Sequence, residues 1–155
     1  MRARIPAAAA MVLMGGLGGM VVDARGDENV TGTSDLTVEM TGFRNDRGNA
    51  KIALWRSKDG FPADESKAER RYQAPIVGGK ATLLVERLEP GDWAIAAFHD
   101  ENDNGKIDLG LFGIPKEGLG VSRDAKGMLG PPSFKSAKLV IAPGERRVGF
   151  RIFYY

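Results

Sequence analysis

The sequence predicts an all-β domain: an antiparallel β-sandwich of about seven strands, with immunoglobulin-like or transthyretin-like topology and one long ordered loop. Three observations carry this prediction. Short segments alternate apolar with polar residues, turns containing Gly and Pro separate these segments, and no segment has the apolar stripe of an amphipathic helix. Because the alternation begins near residue 35 and returns at the end of the chain, residues 35–155 are expected to form a single domain.

The first two strands are predicted on either side of a polar turn. Leu36, Val38 and Met40 alternate with polar residues, which is the pattern of a strand with one solvent-exposed face. Residues 44–49 have the composition of a turn, and apolar residues alternate again over residues 50–54. These two strands are expected to pair as a hairpin.

A second hairpin is predicted about a pair of glycines. Residues 57–71 are polar and have no apolar stripe, so they are expected to form a loop with at most one helical turn. Residues 74–77 and 81–88 have strand character, and Gly78 and Gly79 lie between them. Glycine pairs at this position are typical of the two-residue turns that join hairpin strands.

Two further turns define the remaining strands. Pro90 and Gly91 suit the central positions of a type II turn, because proline fixes φ and glycine accepts a positive φ. The segment that follows, residues 93–98, is apolar at every position, as expected of a central strand covered on both faces. Residues 137–141 and 148–154 complete the set, with a Pro-Gly turn between them.

The first 24 residues have the composition of a cleavable signal peptide. Two arginines precede an uncharged run over residues 7–22 that is rich in Ala and Gly, and Ala24 suits a signal-peptidase cleavage site. A retained membrane anchor is the alternative, but the run is shorter than the roughly 20 residues that span a bilayer. We therefore expect a periplasmic or secreted protein, a polar linker over residues 25–34 and no transmembrane span after signal removal.

Composition excludes several classes of protein. The chain has no cysteine and one histidine, which rules out disulfides, thiolate metal sites, cysteine nucleophiles and three-histidine metal centres. Its 22 basic and 20 acidic side chains are interspersed, whereas nucleic-acid-binding domains usually gather a basic excess on one face. The expected partner is therefore an envelope or extracellular component and not a nucleic acid.

Residues 99–134 are predicted to form a loop that is much longer than the usual connection between strands, and loops of this length are usually functional or disordered. The apolar residues that recur along it favour order over disorder. It opens with oxygen ligands spaced as in a calcium-binding loop: Asp100, Asn102, Asn104, the carbonyl of Lys106, and Asp108. Gly105 suits the positive φ that such loops need, but Leu111 replaces the usual bidentate glutamate. Calcium is therefore the candidate cofactor, with Glu117 or another carboxylate completing the shell. The alternative is a tight Asx-rich turn without metal.

These features favour an exported binding or structural module, not an enzyme, with a loop that calcium stabilises. An envelope hydrolase is the second hypothesis, because acid-base groups are dense in the loop: His99, Asp100, Glu101 and Glu117. A lone histidine at a strand end is more often structural, and Ser122 lacks the second glycine of a nucleophile elbow. A passive partner-binding sandwich, whose loop only packs over one end, is the third hypothesis.

Four blocks of the loop region carry a family resemblance: residues 98–102, 105–108, 113–118 and 130–134. They resemble the bacterial family called domain of unknown function 2141, and the likeness extends over about residues 36–155. The resemblance implies an exported protein of the bacterial envelope with no established enzymatic activity. Within this region, Phe112, Leu119 and Phe134 are expected to pin the loop against the end of the sandwich.

Overall fold

The computed structural model describes residues 21–22, 28–29 and 32–155. The signal peptide predicted for residues 1–24 and the linker predicted for residues 25–34 therefore lie largely outside the described residues. The exceptions in this region are a short pairing between Val21–Val22 and Glu28–Asn29 and the start of the domain. Across the described ranges, no helix has the length and apolar character that a membrane crossing needs.

Residues 32–155 form an all-β sandwich of eight strands in two sheets, which confirms the predicted fold class. The strands are β1 (Ser34–Thr41), β2 (Asn49–Trp55), β3 (Arg70–Pro75), β4 (Lys80–Leu88), β5 (Gly91–Asp100), β6 (Leu119–Val121), β7 (Leu139–Ile141) and β8 (Gly144–Arg151). The helical segments are single turns: 3₁₀ turns at Glu65–Lys67, Leu111–Gly113 and Ser122–Asp124, and an α-helical turn at Phe134–Ala137.

The two sheets differ in size and in strand direction. The smaller sheet has the order β8-β1-β4, in which β1 is parallel to β8 and antiparallel to β4. The larger sheet has the order β3-β2-β5-β6, and β7 pairs with the first residues of β5. β5 is therefore the central strand of the larger sheet, as its apolar sequence predicts.

Ser122 fills the gap between the two short strands that flank β5. β7 pairs with the start of β5 and β6 with its second half, which leaves Ile95 between them. The Ser122 hydroxyl accepts the Ile95 N–H at 3.0 Å and donates to the Ala137 carbonyl at 2.6 Å. This buried serine is therefore a structural link in the sheet.

The core lies between the sheets and takes alternate residues from the long strands. β1 and β5 supply six of its central side chains: Leu36, Val38, Met40, Trp93, Ile95 and Ala97. Phe150 and Ile152 add side chains from the C-terminal end of the chain. Burying a large apolar side chain of this kind contributes about 1.5–3 kcal/mol, so the core is the main source of stability.

Both predicted hairpins are wrong, because their strands belong to different sheets. β1 lies in the smaller sheet and β2 in the larger, and the turn at Gly78 and Gly79 leads from β3 in the larger sheet to β4 in the smaller. A single bridge between Val77 and Lys80 closes this turn. Alternation identifies the buried face of each strand but not the strand with which it pairs. A short turn can connect the two sheets of a sandwich as well as two neighbouring strands of one sheet.

Three element boundaries also differ from the prediction. β6 lies inside the segment predicted as a loop and raises the strand number in the described domain to eight. β3 begins at Arg70 because it pairs with β2 as an edge strand, where polar residues hide the alternation. β7 begins at Leu139 because a helical turn precedes it. The helical turn expected within residues 57–71 is confirmed at Glu65–Lys67.

The turn over residues 44–49 is fixed to its neighbours on both sides. The Asp46 carboxylate accepts the N–H groups of Gly78 and Gly79 at 2.7 and 2.8 Å, and these hydrogen bonds lower the pKa of Asp46. Gly48 has φ +64°, and a Cβ there would lie 1.8 Å from the Asp100 carbonyl oxygen. The turn therefore rests directly on the start of the long loop.

The C-terminal residues close the same end of the sandwich. The Ile152 N–H donates to the Thr41 carbonyl at 2.8 Å, whereas Phe153 pairs with Leu119 through two hydrogen bonds of 2.8 Å. Ile152 thus hydrogen-bonds to the smaller sheet, and the next residue, Phe153, to the larger one. This crossing brings Tyr154 to the start of the long loop.

Candidate functional site

The long loop begins with a turn that the Asp100 carboxylate organises. Asp100 is fully buried at the end of β5, and its oxygens accept the N–H groups of Asn104 at 3.0 Å and Gly105 at 2.8 Å. Gly105 has φ +75°, which confirms the positive φ predicted there. The Lys51 ammonium lies 3.7 Å from the same carboxylate and offsets part of its charge.

The other ligands suggested for calcium gather in the same turn. The side-chain oxygens of Asn102 and Asn104 accept N–H groups within the turn, including that of Lys106 at 2.8 Å. The amide nitrogens of the two asparagines donate to the Asp108 carboxylate at 2.7 and 3.0 Å. These polar groups therefore form hydrogen bonds within the turn and with one another. In the part of the chain that the structure describes, no three side chains of Asp, Glu, His or Cys converge as metal ligands would.

Glu117 joins the two ends of this turn. It is 3% exposed, and its two oxygens accept the N–H groups of Glu101 at 2.8 Å and Asp108 at 3.0 Å. The structure thus places the proposed final calcium ligand beside the turn, with both oxygens bonded to the backbone. Hydrogen bonds to an ionised group are roughly twice as strong as neutral ones, so Glu117 braces the base of the loop.

His99 is buried against the C-terminal residues. Its Nε2 lies 2.7 Å from the Arg47 carbonyl, which only accepts hydrogen bonds, so Nε2 carries the proton. Nδ1 then accepts from the Tyr154 hydroxyl at 2.7 Å. Burial raises the pKa of Tyr154, which keeps this donor protonated at neutral pH. The imidazole also packs edge-on against Phe43, with ring centres 5.2 Å apart.

Glu101 ties the loop to the turn over residues 44–49. Its carboxylate contacts the Arg44 guanidinium and accepts hydrogen bonds from Asn45 and Arg47, each at 3.1 Å. Burial opposes the ionised form, but the hydrogen bonds from Asn45 and Arg44 outweigh it and hold the pKa of Glu101 below its usual value. The carboxylate is therefore ionised and fully engaged at neutral pH.

The side chains suggested for hydrolysis all hold the loop in place: His99, Asp100, Glu101 and Glu117. The first, second and fourth are buried, and the side chain of Glu101 is only 10% exposed. General acid-base catalysis needs a titrating atom within reach of a substrate proton. The arrangement of these four groups therefore supports a structural role for the cluster.

The outer face of the larger sheet is the second feature of the site, because it is apolar at its centre. Ala53 and Trp55 on β2, with Ala94 and Phe98 on β5, alternate with the core residues and face away from the smaller sheet. All four are buried although they lie outside the core between the sheets. Since the outer face of an antiparallel sheet is commonly polar, this apolar centre requires a cover.

The covering loops leave a groove of about 930 Å³ over this face. Trp55, Ala96 and Phe98 line its floor. Its walls come from residues 124–132 and the last three residues of the chain, together with six residues of two other loops: Pro62, Ala63, Glu65, Ile107, Gly113 and Pro115. The volume lies within the usual range of small-molecule sites.

The groove offers few hydrogen-bonding groups. Its charged lining residues are Glu65, Asp124 and Lys126. Asp124 already accepts the Arg151 N–H at 2.7 Å. Trp55 is 1% exposed, and its indole N–H has no partner among the described residues. A buried donor without an acceptor costs about 1–3 kcal/mol, so a ligand oxygen at this position would be stabilising.

Sequence reasoning missed the groove, because its walls come from segments far apart in the chain. The available signal was the apolar segment over residues 93–98, which indicates a cover on the second face without identifying it. The expectation for Phe112 is wrong: this side chain is 98% exposed and pins nothing within the described domain. Phe134 does pack, edge-on against Phe61 with ring centres 5.9 Å apart, and Leu119 pairs with Phe153.

The fold and the groove define a β-sandwich module with an apolar site on one sheet and a braced loop at one end. A family model described as an uncharacterized protein conserved in bacteria, domain of unknown function 2141, matches residues 38–148. The chain belongs to this family, which confirms the resemblance found in the loop blocks. No curated protein and no solved structure matches the chain.

Proposed function

We propose that this protein is a non-enzymatic binding module of the bacterial envelope, periplasmic or secreted, and that its groove holds an elongated acyl ligand such as a fatty acid. The observation that carries the proposal is the apolar groove on the outer face of the larger sheet. The composition of residues 1–24 supports export.

The lining favours an acyl chain over a peptide. A bound peptide carries an N–H and a carbonyl at almost every residue, and each needs a partner when it is buried. The side chains of Ala96, Phe98, Val121 and Met128 offer no such partner. A hydrocarbon chain needs none and gains about 0.8 kcal/mol for each CH₂ that it buries.

The indole N–H of Trp55 supports a ligand with one polar end. The indole nitrogen is buried, so a carboxylate or ester oxygen reaches it only when the side chains that cover it move aside. The oxygen then accepts this hydrogen bond and removes the cost of a buried donor without a partner. The chain of the same ligand would lie along Ala96 and Phe98. A fatty acid combines these two properties.

Binding of cis-parinaric acid, a fluorescent fatty acid, tests the groove. We expect a saturable rise in fluorescence with the parent protein. Ala96→Trp fills the floor of the groove and should weaken binding at least tenfold. Trp55→Phe keeps an aromatic ring but removes the donor, and should weaken binding by about tenfold, the value of one hydrogen bond to a charged group.

Leu84→Trp is the matched control for the parinaric acid titration. Leu84 is 55% exposed on the smaller sheet, so the new indole should leave the affinity unchanged. The proposal would be contradicted by parent protein that shows no saturable binding, or by Ala96→Trp protein that binds as the parent does.

We propose weak calcium binding by the turn over residues 100–108 as a separate property of the loop. Its support is that the side-chain oxygens of Asp100, Asn102 and Asn104 all accept N–H groups within the turn and so face its interior. Lys51 and the two asparagine amides compete with a cation for the carboxylates. With Asp100 and Asp108 as the carboxylate ligands of the turn, the expected Kd is about 10⁻⁴–10⁻³ M.

Thermal unfolding in millimolar calcium and in chelator tests this metal proposal. At a calcium concentration of about ten times Kd the stabilisation is about 1.4 kcal/mol, which should raise Tm by roughly 3–6 °C. Asp108→Asn should abolish the rise, whereas Asp59→Asn, which lies outside the turn, should retain it. An equal Tm with calcium and with chelator would contradict calcium binding by this turn.

A further inference from the structure

Two loop tips beside the groove expose large apolar side chains. The first tip, residues 109–114, exposes Leu111 and Phe112, and the second tip, residues 127–130, exposes Met128 and Leu129. Each of the four is more than 80% exposed. Gly113 of the first tip and residues 127–130 of the second line the same groove, so both tips lie at its edge. Exposed apolar groups gathered in this way mark interaction surfaces.

The first tip is a closed hairpin with a strained aromatic residue at its end. The Lys116 N–H donates to the Asp108 carbonyl at 2.8 Å, and the Gly110 N–H donates to the Ile114 carbonyl at 2.7 Å. Phe112 has φ +59°, which is unfavourable for a bulky residue. Its side chain is 98% exposed, so packing within the domain does not offset this strain. A contact between Phe112 and a partner outside the domain would offset the strain.

The second tip is also a formed turn. A Cβ on residue 127 would lie 1.8 Å from the Gly130 carbonyl oxygen, so the close approach of these two residues requires glycine at position 127. The turn holds Met128 and Leu129 outward at its end, where both are fully exposed. In both tips the backbone conformation therefore holds the apolar side chains out into solvent.

The exposed charges around the tips are mainly basic. Four exposed basic residues flank them: Lys106, Lys116, Arg123 and Lys126. Within the described residues none of these four takes part in an ion pair. The nearby acidic groups bond to the fold: Asp108 to two asparagine amides, Glu117 to two backbone N–H groups and Asp124 to the Arg151 N–H. Two of the basic groups also contact the fold, since Arg123 donates to the Lys138 carbonyl and Lys126 lies over the Phe153 ring.

We propose that the two tips insert into the surface of an anionic phospholipid bilayer, with the four basic residues at the level of the headgroups. Proteins that bind the membrane interface combine apolar side chains that reach the acyl boundary with basic residues that attract anionic lipid. Charge complementarity selects the bilayer here, since the four basic side chains beside the tips are exposed, form no ion pair within the described residues and can pair with anionic headgroups. The inference goes beyond the groove, because the tips can bind a bilayer whether or not the groove is filled.

Co-sedimentation with phospholipid vesicles tests this proposal. The exported protein should sediment with vesicles of phosphatidylcholine and phosphatidylglycerol, and binding should fall at high salt or with phosphatidylcholine alone. The double variant Leu111→Ser, Phe112→Ser, at two exposed positions that do not line the groove, should bind at least tenfold more weakly. Val140→Ser is the control, because Val140 is 74% exposed on β7 and away from the tips.

The outcomes separate the bilayer proposal from the groove proposal and from self-association. Ala96→Trp should still sediment with anionic vesicles, and the tip variant should still bind parinaric acid and melt at the temperature of the parent. Failure of the parent to sediment with anionic vesicles, or equal sedimentation of parent and tip variant, would overturn the proposal. A dimer that the tip substitutions dissociate, without vesicle binding, would overturn it in favour of a second copy of the chain.

Discussion

Glu117→Ala is expected to lower the free energy of unfolding by about 3–5 kcal/mol, because it removes two hydrogen bonds to a buried carboxylate. The N–H groups of Glu101 and Asp108, which now donate to Glu117 at 2.8 and 3.0 Å, would lose their acceptors in a partly buried position. Urea denaturation measures the loss directly. Thermal unfolding should show it as a fall in Tm of about 10 °C or more.

Glu117→Gln and Glu145→Ala are the matched controls for this experiment. The amide keeps one of the two acceptor oxygens at position 117, so an intermediate loss is expected. Glu145 is exposed on β8, and its substitution should change stability by less than about 0.5 kcal/mol. A Glu117→Ala protein as stable as the parent would show that this carboxylate does not brace the loop.

His99→Ala is expected to cost about 3–4 kcal/mol. The substitution leaves a cavity beside Phe43 and removes the partner of the Arg47 carbonyl and of the Tyr154 hydroxyl. Tyr154→Phe alone removes two hydrogen bonds, one to His99 Nδ1 and one from the Arg44 N–H, and should cost about 2 kcal/mol. Urea denaturation of the two single variants and of the double variant measures both costs.

The double variant tests whether the hydrogen bond between His99 and Tyr154 contributes to stability. If it does, the two losses overlap, and the double variant should be about 1 kcal/mol more stable than their sum predicts. Purely additive losses would contradict the contribution of this hydrogen bond. The same result would weaken the structural role assigned to His99 in place of a catalytic one.

Alternation along the sequence was enough to predict the fold class and most strands. The side-chain period of a strand is two, so Leu36, Val38 and Met40 identify a buried face without any tertiary information. Strand partners are set by long-range packing, which alternation does not contain. For this reason both hairpins were predicted within one sheet, although each turn crosses from one sheet to the other.

The candidate site was predictable only where its residues are close in sequence. Asp100, Asn104 and Gly105 form the predicted turn because Asx and glycine residues favour such local hydrogen bonds. The brace by Glu117 depends on a contact across the loop, and the groove depends on segments that meet only in the fold. Phe112 was assigned to the interior by its apolar character, which does not distinguish a core side chain from one held outward for a partner.

Native mass spectrometry of the protein isolated from the cell envelope tests the central claim most directly. We expect the chain to begin at Arg25, after loss of the signal peptide, and to carry an acyl lipid that denaturation releases. Ala96→Trp should be recovered without the lipid. A chain that still begins at Met1 would contradict export. A parent protein free of lipid, both as isolated and after incubation with phospholipid vesicles, would contradict the assignment of the groove.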